Sequence, residues 1–246
     1  MIANHLISKN RTLFALAFIF LLSSATTFQK NKILVFSKTA GYHHGAIPDG
    51  QLAIIKLGQE HKFAVDTTSD ASVFTSNNLK QYKAVVFLNT TGNVLDESQQ
   101  AAFEQYIHAG GGFVGVHSAT DTEYDWPWYG RLVGAYFRSH PAQQVASLDI
   151  VDGTHISTKH LPKRWTRKDE WYNFKWVSDS VHVLMTIDES TYTGDRMGTT
   201  HPMSWYHKFE GGRAFYTELG HTKESYTTDT LYLQHLLGGI EYAIKK

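Results

Sequence analysis

His44, His117, His201 and His221, together with the carboxylates of Asp121 and Glu170, are the residues of this chain whose types and placement suit chemistry. Imidazole changes charge near neutral pH and a carboxylate can fix its tautomer. Such a set can move protons at a carbon or hydroxyl beside a carbonyl, and the same atoms can hold a divalent metal. His117 and Glu170 are the expected proton-transfer pair, with His44, His201 and His221 orienting groups or stabilising charge and Asp121 fixing one imidazole. His43 and His44 are adjacent, so only one can face a site from extended backbone, and His44 is the one chosen. Glu170 has a duller alternative as a partner of Arg164 or Arg167, and His140, just before Pro141, reads as structural.

Large flat rings flank the same segments. Sugar C–H faces pack on aromatic rings while hydroxyls bond at the rim, so Trp126, Trp128, Trp171, Tyr172, Trp205 and Tyr226 are expected substrate contacts, with Ser118 beside them. Ser118 is a poorer nucleophile candidate, because no Gly-x-Ser-x-Gly elbow surrounds it and a serine after a strand commonly caps the next helix. Trp165 and Trp176 are assigned to the core. No local spacing of metal ligands occurs, so no cofactor is expected; a metal such as zinc would need ligands from distant loops and ranks below a metal-free acid–base site.

These residues must be positioned by the elements before them. Residues 32–37 (KILVFS), 63–67, 84–89 and 113–116 are short apolar strands of the kind buried in parallel sheets, and ligands of such sheets collect beyond the carboxyl ends of the strands. Pro48 opens a helix whose buried side is read as Leu52, Ala53, Ile55 and Leu57. Residues 68–82 read as loop with a turn of helix. Asp96 with Gln99 forms a capping pair for a helix that buries Phe103, Tyr106 and Ile107, and the run Gly110 to Gly112 stops it.

Beyond Phe137 the pattern changes. Residues 145–151 and 181–187 are strands, separated by a polar, Trp-rich segment over 154–176. Residues 203–209 and 214–219 form a hairpin about Glu210, Gly211 and Gly212. Leu233, Leu236, Leu237, Ile240 and Ile244 recur at helical spacing.

The balance of 23 Lys plus Arg against 23 Asp plus Glu, with no basic run, argues against nucleic acid as a partner. Lys9 and Arg11, an apolar run over 13–22 and the small residues Ser23 to Ala25 have the order of a secretory signal peptide over residues 1–25. Cleavage near Ala25 is expected to leave no membrane anchor and to place a single domain, residues 31–246, in the periplasm or outside the cell. Cysteine is absent, which excludes disulfides, thiolate metal sites and a thiol nucleophile. No exposed apolar helix face marks an oligomer interface.

Four blocks, FSKTAGYHHGAI at 36–47, GGGFVGVHSATDTEYDWPWYGRLVGAYF at 110–137, DEWYNF at 169–174 and HPMSWYHKFEGGRAFYTELGHTKESY at 201–226, together resemble the ThuA-like (trehalose utilisation) family. The resemblance spans nearly all of the chain from Lys32. It implies an α/β fold, a flavodoxin-like three-layer sandwich with a mostly parallel central sheet, as in class I glutamine amidotransferases. Where those enzymes carry a nucleophilic cysteine in a Gly-x-Cys-x-Gly elbow, this chain reads Gly115, Val116, His117, Ser118, Ala119, so it is not a glutamine amidotransferase. The resemblance also implies a disaccharide or keto-glycoside of the trehalose type as substrate, within carbohydrate catabolism. A non-catalytic sugar-binding protein and a metal-dependent hydrolase using the same histidines are the alternatives.

Overall fold

The computed structural model describes residues 31–198 and 200–245. The expected signal segment lies outside the described residues. In chain order the first half contains β1 (Lys32–Phe36), α1 (Ile47–His61), β2 (Ala64–Thr68), α2 (Ser76–Leu79), β3 (Ala84–Leu88), α3 (Glu97–His108) and β4 (Gly112–Val116). There follow α4 (Pro127–Val133), β5 (Ala135–Ser139), β6 (Gln144–Ile150), β7 (Arg164–Asp169), β8 (Asn173–Val177), β9 (His182–Ile187), β10 (Pro202–Phe209), β11 (Gly212–Thr217), α5 (Lys223–Thr227) and α6 (Thr230–Ile244).

One 9-stranded sheet runs in the order β2-β1-β3-β4-β11-β10-β9-β6-β7. From β2 to β11 every pairing is parallel, and from β11 to β7 every pairing is antiparallel. β5 and β8 form a separate antiparallel pair. The fold is thus α/β and flavodoxin-like, with a parallel half that continues into an antiparallel extension. β3 and β4 are buried along their whole length, as central strands covered on both faces must be. Each fully buried Val, Leu or Phe there contributes roughly 1.5–3 kcal/mol. α6 packs on β11, β4 and β3, and α1 on β2 and β3.

Local chemistry explains most boundaries. Asp96 and Gln99 form a complete capping box at the start of α3. Gly110 takes a left-handed φ of 92° beyond its end. Glu210 and Gly211 both have positive φ, 45° and 100°, which matches the right-handed twist of the β10–β11 hairpin.

Three expectations need correction. In α1 the buried side is Ile47, Gly50, Ala53, Ile54, Leu57 and Gly58, while Leu52 is exposed, so the helix is rotated relative to the expected face. The segment 154–176 holds β7 and most of β8; in β7 exposed Arg164, Thr166 and Lys168 alternate with buried Trp165, Arg167 and Asp169, so two of the three buried positions are charged and no apolar pattern shows. Trp176 is exposed rather than packed inside, whereas Trp165 is buried as expected.

Candidate active site at the carboxyl edge of the sheet

Four loops meet beyond the strand ends. The loop after β1 is tied to the loop after β3 by a parallel bridge between Thr39 and Thr91, and the Thr91 hydroxyl donates to the Tyr42 carbonyl at 2.9 Å. This bracing turns His44 inward and leaves His43 at the surface beside Thr39. After β4 the chain enters a short 3-10 turn, His117–Asp121. His117 itself has φ of 49°, an uncommon backbone for a residue with a bulky side chain.

After β11, Gly220 has φ of 116°, and a Cβ there would lie 2.5 Å from the Tyr232 hydroxyl and 2.6 Å from that of Tyr226. Only glycine fits, and the turn delivers His221. Glu170 follows β7. Asp169, just before it, accepts from the backbone N–H groups of Gly220 and His221 at 3.1 and 3.2 Å and from Arg167 at 2.9 Å. One buried carboxylate therefore locks the end of the extension to the last loop of the parallel half.

The side chains of His44, His117, Glu170 and His221 converge, each offering one ligand atom, with all four atoms within 4.8 Å of one another. His117 Nε2 lies 3.0 Å from His221 Nδ1. Glu170 Oε2 is 3.0 Å from His221 Nδ1 and 3.5 Å from His117 Nε2, and its other oxygen is 3.3 Å from His140 Nδ1. His117 Nδ1 faces the Glu218 carbonyl at 2.7 Å. A carbonyl only accepts, so Nδ1 carries a proton, and the Nε2 lone pair becomes available to the cluster only when Nε2 gives up its own proton. This outer partner is the kind that orients metal-ligating histidines.

Electrostatics follow from burial. Burial opposes charge on His117, but the carboxylates of Glu170 and Glu218 outweigh it and raise its pKa to about 10. His44 is lowered to about 2 by burial and by its two neighbouring imidazoles, so its ring is neutral. Burial would raise Glu170, yet His117 and His221 hold it well below the usual carboxylate range. Glu218, wholly buried behind His117, is pushed up to about 7 by burial against the pull of that imidazole. Burial likewise raises Asp121, whose carboxylate accepts from Tyr124 at 2.6 Å.

A cavity of about 350 Å³ opens over this cluster. His44, Glu170, His221 and Asp121 form its polar wall, and the rings of Tyr42, Phe137 and Tyr172 its apolar wall. His140 and Gln143 complete it. Of the expected site residues, His44, Asp121, Glu170, Tyr172 and His221 line the cavity. His117 is fully buried below it, so it can hold a ligand or a charge but cannot reach a sugar carbon.

The others lie elsewhere. His201 is buried and bonds the Tyr172 carbonyl at 2.8 Å and Glu189 at 3.0 Å, so it supports Tyr172 from behind. Trp171 and Trp205 are wholly buried, with their indole N–H groups on the carbonyls of Gln144 and Val133. Trp126 and Trp128 pack together and donate to Glu104 and Glu210, away from the cavity. Tyr226 braces Gly220 and Asn89 through its hydroxyl, and Ser118 is buried against His44. The expected tryptophan cleft is therefore corrected to core packing: these indoles bury their area and satisfy their one donor internally. Glu170 pairs with imidazoles rather than with arginine, because Arg164 bonds Asp149 and Asp188, and Arg167 bonds Asp169 and Asp229.

Sequence reasoning missed Tyr42, Phe137, His140, Gln143, Asp169 and Glu218. The Asp169-Glu170 pair stood in a quoted block and Tyr42 beside the chosen His44; His140 and Gln143 carried no signal, since their strand begins only after them.

The family model for ThuA, trehalose utilisation, matches residues 32–243. The chain belongs to this family. Among solved structures it is similar to a ThuA-like protein of Bacteroides uniformis ATCC 8492, at 24% identity and TM-score 0.75, covering 88% of this chain and 92% of that one. A ThuA-like protein of Parabacteroides merdae ATCC 43184 is similar at 22% identity and TM-score 0.70, covering 88% and 90%. A β-galactosidase of Rahnella sp. R3 shares the fold over 87% of this chain and 32% of its own length, at 16% identity and TM-score 0.57. No curated protein matches. Among the described residues no helix is long and apolar enough to cross a membrane.

Proposed function

We propose that this ThuA-family protein is an exported enzyme of carbohydrate catabolism, acting on a trehalose-type disaccharide or keto-glycoside at a divalent cation held by His44, His117, His221 and Glu170. The observation that carries this reading is the convergence of three imidazoles and one carboxylate at the floor of a cavity. The donor set fits a borderline ion such as zinc, because neutral imidazoles and a carboxylate are its ligands and an outer carbonyl fixes one ring. When bound, such an ion polarises a carbonyl or hydroxyl oxygen of the sugar. The family name supports the sugar, and the order of residues 1–25 supports export.

The chain's own groups supply the rest. Tyr42, exposed at the cavity, offers a ring to a pyranose, with Phe137 and Tyr172 in the wall beside it. Asp121, raised by burial, and His140 sit on the cavity wall where a proton can be exchanged with a sugar carbon or hydroxyl next to a carbonyl. Tyr124 holds the Asp121 carboxylate in place. Glu170 fixes both His140 and His221.

A second reading, a metal-free acid–base site, is favoured by one observation: the Glu170 carboxylate shared by three histidines, which keeps His117 charged. The test is incubation of the protein with trehalose and 3-ketotrehalose, with products followed by mass-resolved chromatography before and after chelation. Consumption of the keto sugar, lost on chelation and reduced on the order of 10³-fold by Glu170→Gln, supports the metal reading. Turnover that survives exhaustive chelation selects the second, and an unaltered Glu170→Gln variant sinks both.

A further inference from the structure

Next to the cavity over the histidine cluster lies another, of about 460 Å³. Both are in the range of roughly 300–1,000 Å³ that small-molecule sites occupy. They are not independent. His221 and Gln143 line both, with the Gln143 amide 2.7 Å from His221 Nε2, and the loop from Tyr42 to Ala46 walls the inner cavity with its first residues and the outer one with Gly45 and Ala46. The two linings differ in chemistry. The inner cavity presents three aromatic rings. The outer one has no aromatic side chain besides the shared His221 and is lined by Thr222 and the charged residues Lys168, Lys223 and Glu224. A hydroxyl-rich unit suits the outer cavity, because it can bond such groups, whereas an apolar aglycone would only desolvate them.

We infer that the outer cavity is a second subsite, which takes the second pyranose unit of the substrate while the reacting ring lies in the inner cavity, so that the bond joining the two units passes His221 and Gln143. The inference rests on the sugar reading above and adds where the second ring lies and what limits it. Gly45 is the specificity-determining position. A Cβ built on it meets nothing nearer than the Lys223 Cε at 3.9 Å, and its backbone is one any residue adopts, so a larger side chain there grows into the outer cavity without disturbing the fold. Lys168 and Lys223, both lining the cavity, come from different elements, the edge strand β7 and the start of α5.

The experiment is amide-resolved NMR titration of the full chain with trehalose and, separately, with glucose, repeated on Gly45→Leu. Trehalose is expected to shift the amides of Gly45, Thr222 and Lys223 as well as those of Tyr172 and His221, and glucose only the latter pair. Gly45→Leu is expected to raise the Kd for trehalose at least tenfold relative to that for glucose. Trehalose that shifts only the inner pair, with the ratio unchanged in Gly45→Leu, overturns the second subsite and leaves the sugar reading standing. Absence of shifts with either sugar overturns the sugar reading, and the subsite with it.

Discussion

The two halves of the sheet serve the site differently. The parallel half delivers His44, His117 and His221 from loops after β1, β4 and β11, each at the carboxyl end of a buried strand. The antiparallel extension delivers Glu170 after its edge strand, and Gln143 just before β6. Imidazoles thus come from one half and the carboxylate that binds them from the other. The site lies where the two parts of one sheet come together, and beyond the β10–β11 pairing Asp169 ties the edge strand of the extension to the loop after β11.

The largest effect is expected from separating the halves. Asp169→Asn takes from the buried Arg167 its shorter carboxylate contact, leaving only Asp229 at 3.4 Å, and weakens the acceptor for the Gly220 and His221 amides. Breaking a buried pair from one side costs about 3–5 kcal/mol. Denaturant unfolding should report a loss of that order, and a loss under 1 kcal/mol would mean that the Asp169 contacts add little to the β10–β11 pairing that already links the halves.

Gly220→Ala tests the parallel half by itself. A side chain at φ of 116° and against two tyrosine hydroxyls should cost about 1–3 kcal/mol and displace His221, reducing ligand binding more than stability. Equal stability and unchanged metal affinity would contradict the account of that turn.

A pH measurement sharpens the comparison. His235, from α6, is wholly buried against the parallel half; burial, partly offset by its bond to the Ser157 carbonyl, lowers its pKa to about 3. In the unfolded chain its ordinary pKa is about 6.5. Between those values the unfolded chain binds more protons, so stability falls as pH drops from about 6.5 toward 3, by up to about 1.4 kcal/mol per pH unit for this group. Its ring resonances should stay at neutral positions at pH 5. A titration midpoint near 6.5 would refute this.

The smallest effect is expected far from the site. Trp126→Phe removes one part-buried hydrogen bond, from a buried indole to Glu104, and should cost about 1 kcal/mol, with sugar binding unchanged. A large loss of sugar affinity would restore the tryptophan cleft that the cavity geometry excludes.

The same division governs what was legible in the sequence. In the parallel half, apolar runs such as residues 84–88 are continuous because both faces are buried, and the glycine run before β4 and the Asp96 capping box mark their ends. The residues just past those strands could therefore be named, and His44, His117 and His221 do meet. In the extension, β7 reads RWTRKD, where buried Arg167 and Asp169 satisfy each other and look like surface in the sequence. Burial of a paired charge leaves no periodic trace. The tryptophans misled for the opposite reason: an indole beside a polar block looks like a sugar platform, but Trp171 and Trp205 each place their single donor on a backbone carbonyl inside the core. Tyr42, whose ring is exposed at the cavity and perpendicular to His44, is a cavity ring that the sequence offered without emphasis.

The most direct test of the central claim is calorimetric zinc titration of the chelator-stripped protein, compared with His44→Ala and Glu170→Gln. One equivalent bound by the wild-type chain, with affinity reduced at least 100-fold in each variant, is the predicted result. No binding, or binding that neither substitution alters, would contradict a metal centre at this cluster.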